Sequence, residues 1–166
     1  MPQGPAARVA DPVAHAAPPV LTGSPGSLDV LIGGQPAWRG VLAAAAAAIS
    51  AAKTISDAAI ATAEAATLAA AGSPGLPAAE ATEQTVKTTA AADMGSLISG
   101  AAAGADIHVC ATILPAPPHG PGVVINGSVT VLINNLPACR AGDTILEAVG
   151  PPNTITSGCP TVIIGG

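Results

Sequence analysis

The sequence predicts a mainly β fold, three copies of one hairpin arranged about a common axis, with an Ala-rich helical hairpin inserted in one loop. Three observations carry this. A phrase of turn residues followed by β-branched residues occurs three times. A phrase Pro-Ala-x-Arg, followed by Asp, also occurs three times. One long segment has a composition unlike the rest and interrupts one copy of the second phrase.

The hairpin phrase is plainest in the tail. There Ser157-Gly158-Cys159-Pro160 makes a turn, and Thr161-Val162-Ile163-Ile164 makes a strand that runs into Gly165-Gly166. A second copy is Val124-Ile125-Asn126-Gly127-Ser128 leading to Val129 through Asn135. The third is read as Val20-Leu21-Thr22-Gly23-Ser24-Pro25, then, after a short extra loop, Val30-Leu31-Ile32-Gly33-Gly34. On this reading Cys159 stands where Ser24 and Ser128 stand. β-Branched runs bounded by Gly and Pro are strands joined by tight turns. Strand side chains alternate between faces, which makes Leu31, Val131, Ile133, Val162 and Ile164 the expected inward set. No single unit could bury a face, so three must share one centre.

The Pro-Ala phrases begin at Pro5, Pro36 and Pro137. In the first and third, Arg8 and Arg140 are followed closely by Asp11 and Asp143. In the second, Arg39 is cut off from Asp106 by residues 41–105, and removing that segment restores the repeat. The domain organisation expected is therefore a discontinuous β unit, 1–40 and 106–166, with 41–105 as an insertion whose ends lie close together. The insertion is Ala, Thr, Ser, Glu and Lys, and Ala is the best helix former. Gly72-Ser73-Pro74-Gly75 breaks it, giving two helices of about 42–71 and 78–99. Ile49, Ala52, Ile55/Ser56, Ala59/Ile60, Ala63 and Ala66/Thr67 form one expected stripe; Ala79, Val86, Ala90, Met94 and Leu97/Ile98 form the other. Ala-dominated stripes bury little area, so this hairpin is expected to lean on something else.

Bulk properties narrow the function. Of 166 residues, 9% are charged, the net charge is −5, and only five are Lys or Arg. Phosphate binding needs clustered cations, so nucleic acid and anionic membrane are disfavoured partners. The start, Met1-Pro2-Gln3-Gly4-Pro5, has no basic region followed by an apolar run, so no signal peptide is read. Three Cys without framework spacing suit a reducing compartment and a metal site better than disulfides.

The chain has three His. His15 lies four residues after Asp11, His108 two after Asp106, and His119 just before the second hairpin. Each is in a loop entering a hairpin, and loops of a three-fold scaffold meet at one end. With Cys159 they make a closed tetrahedral zinc set. The competing reading is solvated loop histidines. Cys110, two residues from His108, is the rival thiol ligand; Cys110 and Cys139 otherwise read as small buried hydrophobes. Glu147 reads as a solvated or capping carboxylate, although it stands where the first unit has a His. No nucleophile elbow or phosphate loop is present.

These motifs resemble the PAAR-repeat family: Pro5-Ala6-Ala7-Arg8, its echoes at Pro36 and Pro137, and the Ser157-Gly158-Cys159-Pro160-Thr161-Val162 hairpin. The resemblance covers about 1–40 and 106–166 and not the insertion. It implies a pointed, cone-shaped fold with pseudo-three-fold symmetry, and a structural zinc ion near the apex held by His15, His108, His119 and Cys159. It further implies that the base caps a trimeric valine–glycine-repeat spike of a type VI secretion system or a related contractile injection apparatus, sharpening it for membrane piercing. The first unit departs from the family in having Val-Ala-Asp for Val-Gly-Asp. The expectation is a non-enzymatic tip or adaptor, made in the bacterial cytoplasm and exported on the spike. The insertion is expected to be a docking arm for effector, chaperone or tube, or a brace along the cone. A small zinc-dependent enzyme and a phage-type baseplate tip are the alternatives.

Overall fold

Main-chain hydrogen bonds close the three Pro-Ala phrases into a ring. Ala7 donates to the Cys139 carbonyl (2.9 Å), Cys139 to Trp38 (3.0 Å) and Trp38 back to Ala7 (2.9 Å). A second set runs the opposite way round, from Val9 to Pro36 (3.0 Å), Gly40 to Pro137 (2.8 Å) and Ala141 to Pro5 (2.8 Å). Single antiparallel bridges link Ala6 with Arg140, Arg8 with Ala37 and Arg39 with Ala138. Each phrase thus pairs with the next, and the ring leaves no open edge at its centre.

The molecule is known here from a computed structural model that describes residues 3–15, 19–113 and 118–165. Gly166 of the tail and residues 114–117 of the Pro-rich stretch lie outside the described residues. The elements are β1 (Gly4–Ala6), β2 (Leu31–Ile32), β3 (Gln35–Pro36), α1 (Ala43–Ala69), α2 (Leu76–Ala101), β4 (Ile107–Ile113) and β5 (Pro118–Val124). They continue with β6 (Leu132–Ile133), β7 (Leu136–Pro137), β8 (Thr144–Glu147), β9 (Asn153–Thr154) and β10 (Cys159–Ile164). They form small antiparallel sheets: β1 with β10, β2 with β3, β6 with β7, and a sheet in the order β4-β5-β8-β9.

Mainly β is therefore the wrong weight. Helices of 27 and 26 residues stand against strands of two to seven, so the fold is mixed α/β. The Ala-rich segment makes long regular helices, whereas Gly and Pro keep every strand of the scaffold short.

The hairpins align differently from the sequence reading. Ser27 Oγ accepts from the Val30 amide (3.1 Å), and Ser128 Oγ accepts from Val131 (3.0 Å). Ser27 is therefore the counterpart of Ser128. Ser24 instead accepts from the Ile107 amide at 2.8 Å. The extra residues lie before the hairpin, not inside it. With this register Gly33-Gly34 matches Asn134-Asn135, and all four have positive φ (58°, 82°, 53° and 64°), the mark of a type I′ turn. Inward residues follow: Ile32, Ile133 and Ile164 are buried, with Val30, Val131 and Val162 packed beside them. Leu31, expected inside, is 62% exposed, as are its counterparts Leu132 (56%) and Ile163 (57%). A one-residue slip in register moves a side chain to the other face.

Two layers flank the ring. Ala6, Ala37 and Ala138 share a cluster with the hairpins. Their chain neighbours Ala7, Trp38 and Cys139 point the other way, into a cluster with Val13, Leu21, Val124, Ile145 and Ile155. Cys139 is the packing residue the sequence suggested, and burial pushes its thiol up. Each phrase is locked by its own ion pair. Asp11 Oδ2 accepts from the Arg8 amide (2.7 Å), Asp106 Oδ2 from Arg39 (2.8 Å) and Asp143 Oδ2 from Arg140 (3.0 Å). The guanidinium returns to the same carboxylate in every case. Asp106 thus does in space for Arg39 what Asp11 does for Arg8, across the whole insertion.

The helical hairpin emerges there. Ala46, Ile49, Lys53 and Ile60 form the buried seam of α1; Lys87, Met94 and Ile98 form that of α2. Ile55, one step off this seam, is 74% exposed. At the root, Ile49, Met94 and Ile98 pack with Val41, Val123, Leu136, Leu146 and Ala148. Each such side chain contributes roughly 1.5–3 kcal/mol by leaving water. Farther out, Lys87 Nζ joins Glu83 of its own helix (2.6 Å) to Glu64 of α1 (2.8 Å). Lys53 Nζ pairs with Asp57 and donates to the Gly150 carbonyl at 3.0 Å, tying α1 to the loop between β8 and β9.

Candidate metal centre

Beyond the layer of Trp38 and Ile145, strands β4, β5 and β8 bring polar side chains into the interior. Gly122 pairs with both His108 and Glu147. A Cβ there would fall 2.8 Å from the Glu147 side chain, so glycine makes room for that carboxylate.

Four potential ligands converge: His15, His108, Cys110 and Glu147, with one donor atom of each within 4.8 Å of the others. His15 Nε2 is 3.5 Å from Glu147 Oε1, and His108 Nε2 is 3.8 Å from it. His15 Nδ1 is 3.9 Å from Cys110 Sγ. Tetrahedral ligands at zinc bond lengths lie about 3.3–3.8 Å apart. The His15 and His108 Nε2 atoms, at 2.7 Å, are closer than that and share a hydrogen bond. Their rings are 4.9 Å apart and tilted by 37°. His108 is also approached by the Thr22 amide at Nδ1, a long contact of 3.4 Å.

Both imidazoles are shifted toward the neutral form. Burial pushes His108 down to about 4, reinforced by His15. His15 is lowered mainly by burial, against the pull of Glu147. Neutral imidazole is the form that binds a metal. Glu147 is fully buried, and its Oε1 accepts from Asn153 Nδ2 (2.9 Å) and its Oε2 from His119 Nδ1 (2.7 Å). A thiolate and a carboxylate with two neutral imidazoles balance a divalent cation, and this mix of N, S and O donors fits zinc.

Of the four ligands expected from sequence, the fold brings together His15 and His108. His119 stands one bond behind, on Glu147; its Nε2 is buried and has no hydrogen-bond partner among the described residues. Cys159 lies in the cluster on the hairpin side of the ring, with its Sγ 3.3 Å from Thr161 Oγ1. Bonds from Thr161 and Val162, together with Arg8, lower its thiol. It fills the slot of Ser27 and Ser128. Two other residues join the histidines. Cys110 was the rival thiol by its spacing from His108. Glu147 is buried, not the solvated or capping carboxylate that its isolation in the sequence suggests. The signal that finds both is one count: His15, Cys110 and Glu147 each lie four residues after the Asp of their own phrase, Asp11, Asp106 and Asp143.

The fold and site define a class: a small ring of β-hairpins with a buried N/S/O donor cluster. Residues 114–166 match the family model of the PAAR motif, so the resemblance drawn from the phrases is shown over that segment. A PAAR motif points to a spike-tip-like protein of type VI secretion. No curated protein and no solved structure matches the chain.

Proposed function

We propose that this chain is a structural spike tip: a pseudo-three-fold cone that seats on a trimeric valine–glycine-repeat spike and leaves the bacterial cytoplasm with it. The observation that carries this reading is the exposed apolar triad Leu31, Leu132 and Ile163, one from each hairpin, each next in the chain to an Ile of the hairpin-side cluster. A single chain meeting the end of a trimer needs three like contacts, and a ring of three hairpins supplies them. Exposed apolar residues at corresponding places mark a contact surface. Leu28 and Val129, also exposed, widen it.

At the other end, His15, Cys110 and Glu147 come from the three units, and His108 is added by the second. A zinc ion held by them would cross-link the three units, supplying folding free energy. His119 and Asn153 orient the Glu147 carboxylate, as outer partners do for metal ligands. Four protein ligands leave no open position for substrate, which supports a structural role over a zinc enzyme. The β unit, 1–40 and 106–166, would act as the tip and 41–105 as an arm braced at its root.

The test is sedimentation of purified chain with its cognate spike trimer. One chain per trimer is expected, with binding lost when Leu31→Asp, Leu132→Asp and Ile163→Asp are combined and metal content is unchanged. Undiminished binding by the triple variant overturns the reading.

A further inference from the structure

We propose that the groove between α1 and α2 is a docking site for a basic amphipathic α-helix of a partner protein. The groove has a volume of about 480 Å³ and is almost wholly apolar. Ile55 and Ala59 of α1 face Val86 and Ala90 of α2 across it, and Ile55 is left 74% exposed. It runs from Thr85 to Leu97 on α2, about 18 Å at 1.5 Å per residue, the length of a little over three helical turns. Small side chains along both walls let a third helix approach closely, as in helix packing generally.

Two polar groups say what that helix should carry. Asp93 stands on the wall, exposed and with no ion pair among the described residues. The two helices hold two lysines against five carboxylates, a net charge of −3. Both lysines are already engaged, Lys53 with Asp57 and Gly150, Lys87 with Glu64 and Glu83. A partner helix with Lys or Arg beside its apolar stripe would meet Asp93, and complementary charge sets register and partner choice. Ser56 Oγ, buried in the groove lining without a partner among the described residues, offers a further hydrogen bond. A second copy of the chain would bring another acidic arm with no spare cation to that contact. A bilayer would have to take up Asp93, which is costly.

The proposal refines the arm's suggested role but stands on the groove alone, because its test needs no spike. A phage library of helical peptides is selected against the full chain. Expected winners carry apolar residues at i, i+3, i+4 and i+7 with Lys or Arg flanking them. Ala90→Glu should weaken a synthetic winner at least tenfold. Asp93→Lys should weaken it too, and a peptide with its basic residue changed to Glu should recover binding to that variant. Unaltered helicity and spike binding keep these results separate from the tip reading. The proposal is overturned by no enrichment, by winners without basic residues, or by indifference to Ala90→Glu. It is equally overturned if Ala90→Glu abolishes self-association of the chain or its flotation with phosphatidylcholine vesicles, which would assign the groove to a second copy or to lipid.

Discussion

His15 and Glu147 occupy the same place in different repeats, four residues after Asp11 and Asp143, and their Nε2 and Oε1 atoms meet 3.5 Å apart. One repeat supplies an imidazole, another a carboxylate, and Cys110 in the middle repeat supplies a thiol. The sequence repeat has become a convergent donor set with three different chemistries.

Glu147→Gln should keep the shape of the side chain and remove its charge. The cation would then keep only the Cys110 thiolate as counter-charge, and the amide would turn an NH2 where one of the two carboxylate oxygens now accepts. Metal affinity should fall by at least the roughly 10–100-fold that disturbing an outer partner of a ligand costs, because Glu147 is itself a donor. Competition with a chromophoric chelator measures it.

The two thiols should separate cleanly. Cys110→Ser should abolish tight zinc binding. Cys159→Ser places serine where Ser27 and Ser128 already make the same turn contact, so it should retain zinc and cost under about 1 kcal/mol. Metal analysis after dialysis, with urea unfolding, reads both.

Arg39→Ala should destabilise the fold by about 3–5 kcal/mol, because Asp106 is left buried without its partner. This pair holds the two ends of the insertion together. Trimming the outer hairpin, residues 57–90, with a short turn in its place should leave a folded, metal-binding protein. Excising all of 41–105 should not, since Ile49, Met94 and Ile98 belong to the core beside Val123 and Leu146. Circular dichroism and thermal melting distinguish the two deletions.

Acid should weaken the metal-free protein. His108 is held down to about 4 in the folded state, against an ordinary value of 6.5. Between those values the unfolded chain binds the proton and the folded chain does not, so stability rises with pH across that window and falls as pH drops from 6.5 toward 4. His15, also lowered, acts in the same direction. Melting temperatures of the chelated protein at pH 7.5 and 5 should show the loss.

Much of this was legible in the residues. The three Pro-Ala phrases, the bond from Arg39 to a distant Asp106, and the break at Gly72 all follow from local chemistry that survives in space. The hairpin register was not, because Gly23-Ser24-Pro25-Gly26-Ser27 offers two Gly-Ser steps and only tertiary contact selects the second. That slip put Leu31 inside. Cys159 drew attention as the thiol in a turn, where serine does the same work in the other two hairpins. Glu147 was misjudged because a lone carboxylate usually faces water; its burial depends on Gly122, Asn153 and His119, which lie on other strands.

The most direct test is X-ray absorption at the zinc edge of the purified protein, with metal stoichiometry. The account predicts one zinc per chain with one sulfur and three N/O neighbours, unchanged in Cys159→Ser and without sulfur in Cys110→Ser. No bound metal, or a sulfur ligand that disappears in Cys159→Ser, would contradict it.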